Sequence, residues 1–545
     1  MTLYAPAMKQ EASIPAGFPE GIPLQTRSFE NWSRMLRLTD ACTATPTTDE
    51  QALAIVRWAA AVGWRVRPVG AMHSWVPIVG DRTDGVVFID QSAMSGLGDF
   101  QMDPVPAVTL RCGTTLGEGL RILEAIDNGG RSETPGWVWP DFPGIPDITV
   151  GGMCAIGAHG AGIRLREDQE DLFGTVSNLI LGFRAIVSEH GRYVIRAFHR
   201  DDPDASAFLV HLGNAYLLDV QMRVVPNCSL SRRVQYPDWT EVFAAPTSPL
   251  PPTSLQGLVE EHGRVQQLWF PFTQTPIVQH FTEDSSTEGV AVTAPLTVRL
   301  SPTLPPAFTT AFGGLLDKFP WLTPLVERST LREMKHLSPP DHLWHGTAGN
   351  TLLYVQHDTL RVISLAYAIL VKRGEVQAAV HALGHKFDEM LHQYAHAGLE
   401  PINSCLEIRV TDVDRTHALG VPAAVPATLS PIRPLPGAQV DQAIWFDLVT
   451  VPGTAHSLQF YAEFEAWLWE QFAIPGTLRA EWSKAWAVGP DGPWTNRQII
   501  DRILRSYDEH GTLQTARDVW ASWRQFDSQH VYGSALTEWI FNNEV

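Results

Sequence analysis

Apolar and polar positions along residues 41–226 follow two periods. Short apolar runs of β character alternate with stretches of helical spacing. Val86–Ile89, Val108–Cys112, Leu179–Val187, Tyr193–Ala197 and Leu217–Val225 are each bounded by turn chemistry and read as strands. His190-Gly191 joins the third and fourth of these runs and predicts a hairpin. Asp49–Val62 carries acidic residues in its first turn and predicts a helix, which feeds a short apolar strand, Trp64–Pro68. Thr115–Ile126 is a second helical stretch. The pattern is α+β, and a first boundary falls at Pro226.

After residue 226 the character changes. Proline-rich connectors at Ala245–Thr253 and Val421–Pro436 have no period and read as loops, and no repeat of fixed length is present. His381, His385, His392 and His396 form one stripe of a predicted helix, spaced for metal-binding pairs. Val380, Leu383, Phe387, Leu391 and Tyr394 occupy nearly the opposite side, however, so the stripe reads as a solvated face and no metal site is assigned.

A length of 545 residues exceeds one ordinary core, so two domains are expected, with ample chain to enclose a cofactor. The net charge of -19 disfavours nucleic acid and anionic membrane as partners. Five cysteines, with no C-x-x-C pair, read as reduced thiols, Cys154 among them as a small apolar filler. Met1–Pro23 lacks the apolar core of a signal peptide, and no run approaches the length of a membrane span. Cytoplasmic residence is the default expectation.

Two glycine-bearing segments carry the candidate cofactor chemistry: Arg67-Pro68-Val69-Gly70-Ala71-Met72-His73-Ser74, and Thr149-Val-Gly-Gly152-Met-Cys-Ala155-Ile-Gly157-Ala-His159-Gly160. Both read as turn segments that bring backbone amides close to a ligand, and a run of amides makes a concave, partly positive nest suited to pyrophosphate. The first lies between two predicted strands. No G-x-G-x-x-G is present, so a nicotinamide Rossmann site is set aside in favour of FAD. The competing reading is an ordinary turn followed by a satisfied core histidine.

Candidate catalytic residues lie in Cys405-Leu-Glu407-Ile-Arg409-Val-Thr411, where alternation puts Glu407 and Arg409 on one face of a strand and Leu406, Ile408 and Val410 on the other. Oxidising an alcohol requires removal of the hydroxyl proton as hydride leaves the carbinol carbon. Glu407 can act as that base, and Arg409 can hold it ionised or stabilise developing negative charge. A solvent-face salt bridge of little consequence is the alternative. In Arg479-Ala-Glu-Trp482-Ser-Lys484-Ala-Trp486, two tryptophans bracket Lys484. They are expected to exclude water around an anion-stabilising ammonium, although a packing corner would look the same.

The histidine after the first glycine resembles that of the vanillyl-alcohol oxidase type of FAD-linked oxidases, in which it often bonds covalently to the flavin. The stretches AMHSW, TVGGMCAIGAHG, GTVSNLIL, RVQQLWFPFTQTP, LLYVQHDTLRV, LEIRVT, IWFDLVTVPGT and EWSKAW resemble, in order and spacing, the covalent-flavin type of cholesterol oxidase over most of the chain. The resemblance implies a two-domain FAD-linked oxidase fold: a discontinuous FAD-binding domain and an α+β substrate domain whose large sheet roofs the flavin. It divides the chain into an arm (1–40), an FAD-binding domain (41–226), a substrate domain (227–475) and a segment returning to the FAD domain (476–545). It implies FAD bonded through His73 and held by residues 68–74, by Thr149, Gly152, Ala155, Gly157, His159 and Gly160, and by Ser177 and Asn178. It further implies an alcohol substrate and oxygen as partners, with ketone and hydrogen peroxide as products.

One departure stands out. Such relatives tend to carry a carboxylate before the tryptophan of W-F-P-F, whereas this chain reads Gln266-Gln267-Leu-Trp269. Glutamine cannot take up and return a proton, so double-bond movement after oxidation is not expected to follow the family pattern. The runner-up reading is a polyol or sugar-lactone oxidase or dehydrogenase, and the third is a flavin- or lipid-binding protein without turnover. Trp137–Phe142 and Trp269–Phe272 favour an apolar ligand unless they belong to the core.

Overall fold

The computed structural model describes residues 15–542 except 167–171, 296–318, 338–341, 354, 356–360, 438–439 and 509–513. Residues 1–14 of the expected arm, with most of the stretch examined for a signal peptide, lie outside the described residues.

The first sheet holds β1 (Leu24–Glu30), β2 (Arg37–Ala44), β3 (Arg65–Val69) and β4 (Val86–Asp90) in the order β1-β2-β4-β3. Helix α1 (Asp49–Val62) starts where the Thr48 side chain accepts from the Gln51 amide, and it ends at Gly63 in the left-handed region. Its buried stripe includes Ile55, Val56 and Ala59. β3 and β4 run parallel, so residues 70–85 must carry the chain from the end of one strand back to the start of the other. Arg67 anchors that loop: its buried guanidinium donates to the carbonyls of Gly213 (2.7 Å), Val79 (3.0 Å) and Ile78.

A second, antiparallel sheet contains β5 (Leu97–Gln101), β6 (Ala107–Arg111), β7 (Ile180–Glu189), β8 (Arg192–His199) and β9 (Tyr216–Arg223), ordered β5-β6-β9-β7-β8. β7 and β8 are the expected hairpin, with His190 and Gly191 both at positive φ as a two-residue turn of the right twist demands. Helix α2 (Leu116–Ala125) follows its Thr115 cap. The second glycine-bearing segment is not simply a turn: its first half is a short helix, α3 (Val150–Ala155), capped by Thr149.

Among the described residues the third sheet has nine strands: β10 (Ser229–Gln235), β11 (Arg264–Trp269), β12 (Ile277–Glu283), β13 (Val290–Val292), β14 (Leu343–Thr347), β15 (Ile363–Val371), β16 (Leu406–Asp412), β17 (Gln442–Thr450) and β18 (Leu478–Ala480). Their order is β13-β14-β10-β12-β11-β16-β17-β15-β18, antiparallel except at β13-β14. Its outer face, with Leu406, Ile408, Phe446 and Leu448, packs into one core with helices α4 (Val376–His396) and α5 (Ser457–Gln471). Phe387 meets Phe460, and Phe446 meets Phe464.

The histidine stripe of α4 lies away from that core. His385, His392 and His396 are exposed, while His381 is half-buried with Nδ1 2.7 Å from the Phe243 carbonyl. Among the described residues no cluster suited to a metal ion occurs, and no helix is long and apolar enough to cross a membrane. The aromatic runs at 137–142 and 269–272 are largely core, although Phe270 belongs to a separate apolar cluster with Ile277, Leu331 and Cys405. Trp137, Trp139 and Phe142 are core residues, and Trp269 stacks on Trp239 beside Phe243.

Candidate active site on the inner face of the large sheet

Antiparallel pairing puts opposite residues of neighbouring strands on the same face. Gln279 of β12 is opposite Gln266 of β11, Gln266 is opposite Arg409 of β16, and Arg409 is opposite Trp445 of β17. Glu407 and Asp447, two residues along, form another opposed pair. Alternation thus gathers the polar side chains inward, and Ala366 and Ala368 of β15 leave room beside Asp447 and Trp445.

Glu407 and Arg409 form the expected charged pair, Arg409 Nε lying 3.2 Å from Glu407 Oε1. Their side chains are only 18% and 14% exposed, so this is not a solvent-face bridge. Asp447, which the sequence reading missed, is the hub. It accepts from Arg409 Nη2 (2.8 Å) and Ser364 Oγ (2.8 Å), with Lys484 Nζ 3.0 Å away. Lys484 also lies 3.9 Å from Glu481 Oε1.

Lys484 does have an aromatic neighbour, but not the pair that brackets it in sequence. The Lys484 amide donates to the Glu481 carbonyl (3.1 Å) and closes a turn, and Trp482 and Trp486 go into the core, where Trp482 Nε1 donates to the Leu429 carbonyl (2.7 Å). The ring facing the ammonium is Trp75, 3.8 Å from Nζ to centroid, two residues past His73.

Burial pushes the Glu407 carboxyl above the ordinary range and Asp447 adds to this, against the opposing pull of Arg409, Lys484 and Gln266. Burial would also raise Glu481, but Lys484, His159 and Arg409 outweigh it and hold that carboxyl low. Two neighbouring carboxylates are therefore pushed in opposite directions. Glu407 is the one suited to exchange a proton, and Glu481 is a fixed charge.

The two glycine-bearing segments meet. A Cβ at Gly70 would lie 2.5 Å from Thr149 Oγ1, and both Gly70 and Gly152 are exposed, the first among half-buried neighbours and the second beside buried Met153 and Cys154. Pro68 and Val69 end β3, Ala71 leads into Met72 at φ 57, and the Met72 carbonyl accepts from the Trp32 amide at 2.8 Å. Asn31 Nδ2 donates to the Ser74 carbonyl (3.1 Å). The His73 ring stacks on Trp32 with centroids 4.3 Å apart. Burial pushes its pKa down to about 3, with Arg361 and Lys484 contributing, so the ring is neutral at physiological pH.

In the second segment the Ala155 carbonyl accepts from the Leu212 amide (2.9 Å), and Gly157 turns the chain at φ 63. His159 stacks on Trp445, centroids 3.6 Å apart, with Nε2 3.7 Å from Glu481 Oε2. Gly160 donates to Asp141 (3.3 Å). Ser177 Oγ donates to the Cys154 carbonyl (3.3 Å), and the adjacent Asn178 is buried with neither amide atom partnered. Two exposed glycines where the segments approach, with a buried amide of open donor and acceptor capacity at Asn178, fit a large polar cofactor such as FAD.

Two family models match the chain, one described as an FAD binding domain over residues 41–177 and one as cholesterol oxidase, substrate-binding, over residues 231–542. The chain therefore carries an FAD-binding domain within a two-domain oxidase fold of mixed helices and sheets. Among solved structures it is similar to a solvent-stable cholesterol oxidase, at 27% identity and a TM-score of 0.89 over 97% of this chain and 100% of that one. It is also similar to cholesterol oxidase from B. sterolicum, at 25% identity and a TM-score of 0.90 over 98% and 100%. A histidine-to-alanine variant of the Brevibacterium sterolicum enzyme matches at 26% identity and 0.90 over 97% and 99%. No curated protein matches.

Substituting Gly70→Val forces the β3-β4 loop away from Thr149. Overpacking of this kind typically costs about 1–3 kcal/mol. The purified variant is expected to melt several degrees lower and to carry much less flavin, read from the ratio of visible to ultraviolet absorbance.

Proposed function

We propose that this chain, which belongs to the cholesterol oxidase substrate-binding family, oxidises a bulky apolar secondary alcohol, a 3β-hydroxysteroid such as cholesterol, to its ketone, with oxygen as acceptor and hydrogen peroxide as second product. The observation that carries this reading is the inner-face cluster. A carboxylate held above its ordinary range sits between an arginine and an amide, across from a loop fit to hold FAD.

Residues 68–74, Thr149, Gly152, Ala155, Gly157, His159, Gly160, Ser177 and Asn178 are the ones we assign to FAD, with His73 as the covalent link. FAD supplies the acceptor for the hydride that leaves the carbinol carbon. The chain supplies the rest. Glu407 takes the hydroxyl proton as the carbonyl forms. Arg409 and Lys484, both anchored on Asp447, keep fixed positive charge beside the base and offset negative charge that develops on the substrate oxygen. His73 is neutral and therefore has a lone pair for bond formation.

The charged inner face favours one second reading, oxidation of a polyol or sugar lactone, and one titration separates the two. Anaerobic addition of cholesterol in mild detergent should bleach the flavin band, and admitted oxygen should restore it with peroxide. Bleaching by sorbitol or a lactone but not by sterols would replace the sterol reading. The covalent link has its own check: flavin fluorescence should stay with acid-precipitated protein and move to the supernatant in His73→Ala.

Glu407 acts as a base only when ionised, and its raised pKa puts that ionisation above the usual carboxylate range. Flavin reduction should therefore slow as pH falls through this raised value. Glu407→Gln should abolish that limb and cut the reduction rate by about 10² to 10⁴ while retaining FAD. Unchanged stopped-flow kinetics would remove Glu407 from the mechanism.

A further inference from the structure

Beyond Glu407 the inner face continues as a buried polar row that crosses three more strands. Gln266 Nε2 donates to Glu407 Oε1 (2.5 Å), Gln279 Nε2 donates to Gln266 Oε1, and Arg232 Nη2 donates to Gln279 Oε1 (2.6 Å). All three residues are at least nine-tenths buried. The Arg232 guanidinium is itself seated between the rings of Phe281 (5.9 Å) and Trp344 (5.2 Å).

The direction of this row follows from the chemistry of its far end. An amide can present either its oxygen or its NH2, but a guanidinium can only donate. Arg232 therefore claims the oxygen of Gln279, leaving the NH2 of Gln279 to face Gln266. Gln266 must then offer its own oxygen, which turns its NH2 toward Glu407. Each amide is fixed by the one before it, and the last donor meets the carboxylate on Oε1, where Arg409 Nε also approaches.

We propose that Arg232 and Gln279 are positioning residues for the reaction: the guanidinium orients two successive amides so that Gln266 presents only a donor to Glu407 Oε1 and directs the other carboxylate oxygen to the substrate hydroxyl. This rests on Glu407 being the base. The amide row does not itself carry a proton, since no amide in it gains or loses one. It acts by favouring the ionised acceptor form of Glu407 over the protonated form. It also accounts for a glutamine at 266, because an ionised carboxylate there would repel that of Glu407.

The proposal makes Gln279→Glu, a nearly isosteric change, a sharp test. A carboxylate at 279 still pairs with Arg232 but offers Gln266 only an acceptor. The Gln266 amide should then reverse and turn its oxygen toward Glu407. Glu407 would lose its donor and face an acceptor, and its protonation midpoint should rise by about one pH unit or more.

The midpoint is measured by pH-difference infrared spectroscopy of the flavin-loaded protein, on the carboxyl band that disappears in Glu407→Gln, and needs no substrate. Arg409, Asp447, Lys484, Glu481 and His159 also act around this carboxyl and stay unchanged in every variant. The added charge at 279 has a direct electrostatic effect of its own, which a double-mutant cycle removes. If the row transmits orientation, Gln279→Glu should shift the midpoint clearly more in the native background than in Gln266→Leu. Equal shifts in the two backgrounds, or none in either, would overturn the proposal. Arg232→Met offers a second route if Gln279→Glu fails to fold: releasing the first amide should also raise the midpoint and broaden the titration, and an unmoved midpoint counts against the row. The sterol titration fails independently, as an unbleached flavin in a protein whose infrared cycle is intact.

Discussion

Glu407, Arg409, Asp447, Glu481 and Lys484 form one charged cluster on the inner face of the large sheet and the turn packed on it, and charges taken out of water persist only when matched. Asp447 is where the matching is made. It lies between Arg409 and Lys484, and so links β17, the neighbouring strand β16, and a turn that comes from elsewhere in the chain. Removing one member of a buried pair typically costs about 3–5 kcal/mol, because the partner is left uncompensated. Burial, reinforced by Asp447 and opposed by Arg409 and Lys484, raises the Glu407 carboxyl above its ordinary range. The same burial that makes the cluster expensive therefore leaves one member ready to take a proton.

Much of this arrangement was legible in the sequence because period-2 alternation translates directly into faces. Glu407 and Arg409 were readable as a pair, and four strands of the second sheet were displaced by no more than about two residues, whereas β5 went unread. Asp447 carried a signal that went unused: it is the one ionisable residue in Gln442–Thr450, an otherwise apolar run, and such a residue has to find a partner. Glu481 sat inside a stretch already singled out. Arg232 and Gln279 left no local trace, since their role comes from strand register between segments far apart in the chain. The tryptophans around Lys484 misled for a related reason. Nearness in sequence says nothing of direction once a turn intervenes, and the ring that faces the ammonium came from the histidine loop instead.

The two sides of the site are held in register by contacts that are themselves part of it. His159 of the second glycine-bearing segment stacks on Trp445 of the large sheet, Gly162 bridges to Thr411, and the Trp75 amide donates to the Ser483 carbonyl at 2.8 Å. The loop that holds His73 and the turn that holds Lys484 are thus one hydrogen-bonded unit. A shift in either changes the distance between the covalent-link candidate and the charged cluster, so cofactor geometry and acid–base geometry are not independent variables in this fold.

The first sheet is also tied to a distant part of the chain. The Val66 amide in β3 donates to the Val531 carbonyl at 2.9 Å, and Arg65 donates to the Tyr532 carbonyl at 2.9 Å, 467 positions away. During synthesis, the strand that leads into the histidine loop can gain these contacts only after residues 531 and 532 have left the ribosome. The inner-face charges do not wait for that, because Glu407, Arg409, Asp447, Glu481 and Lys484 find their partners within residues 407–484.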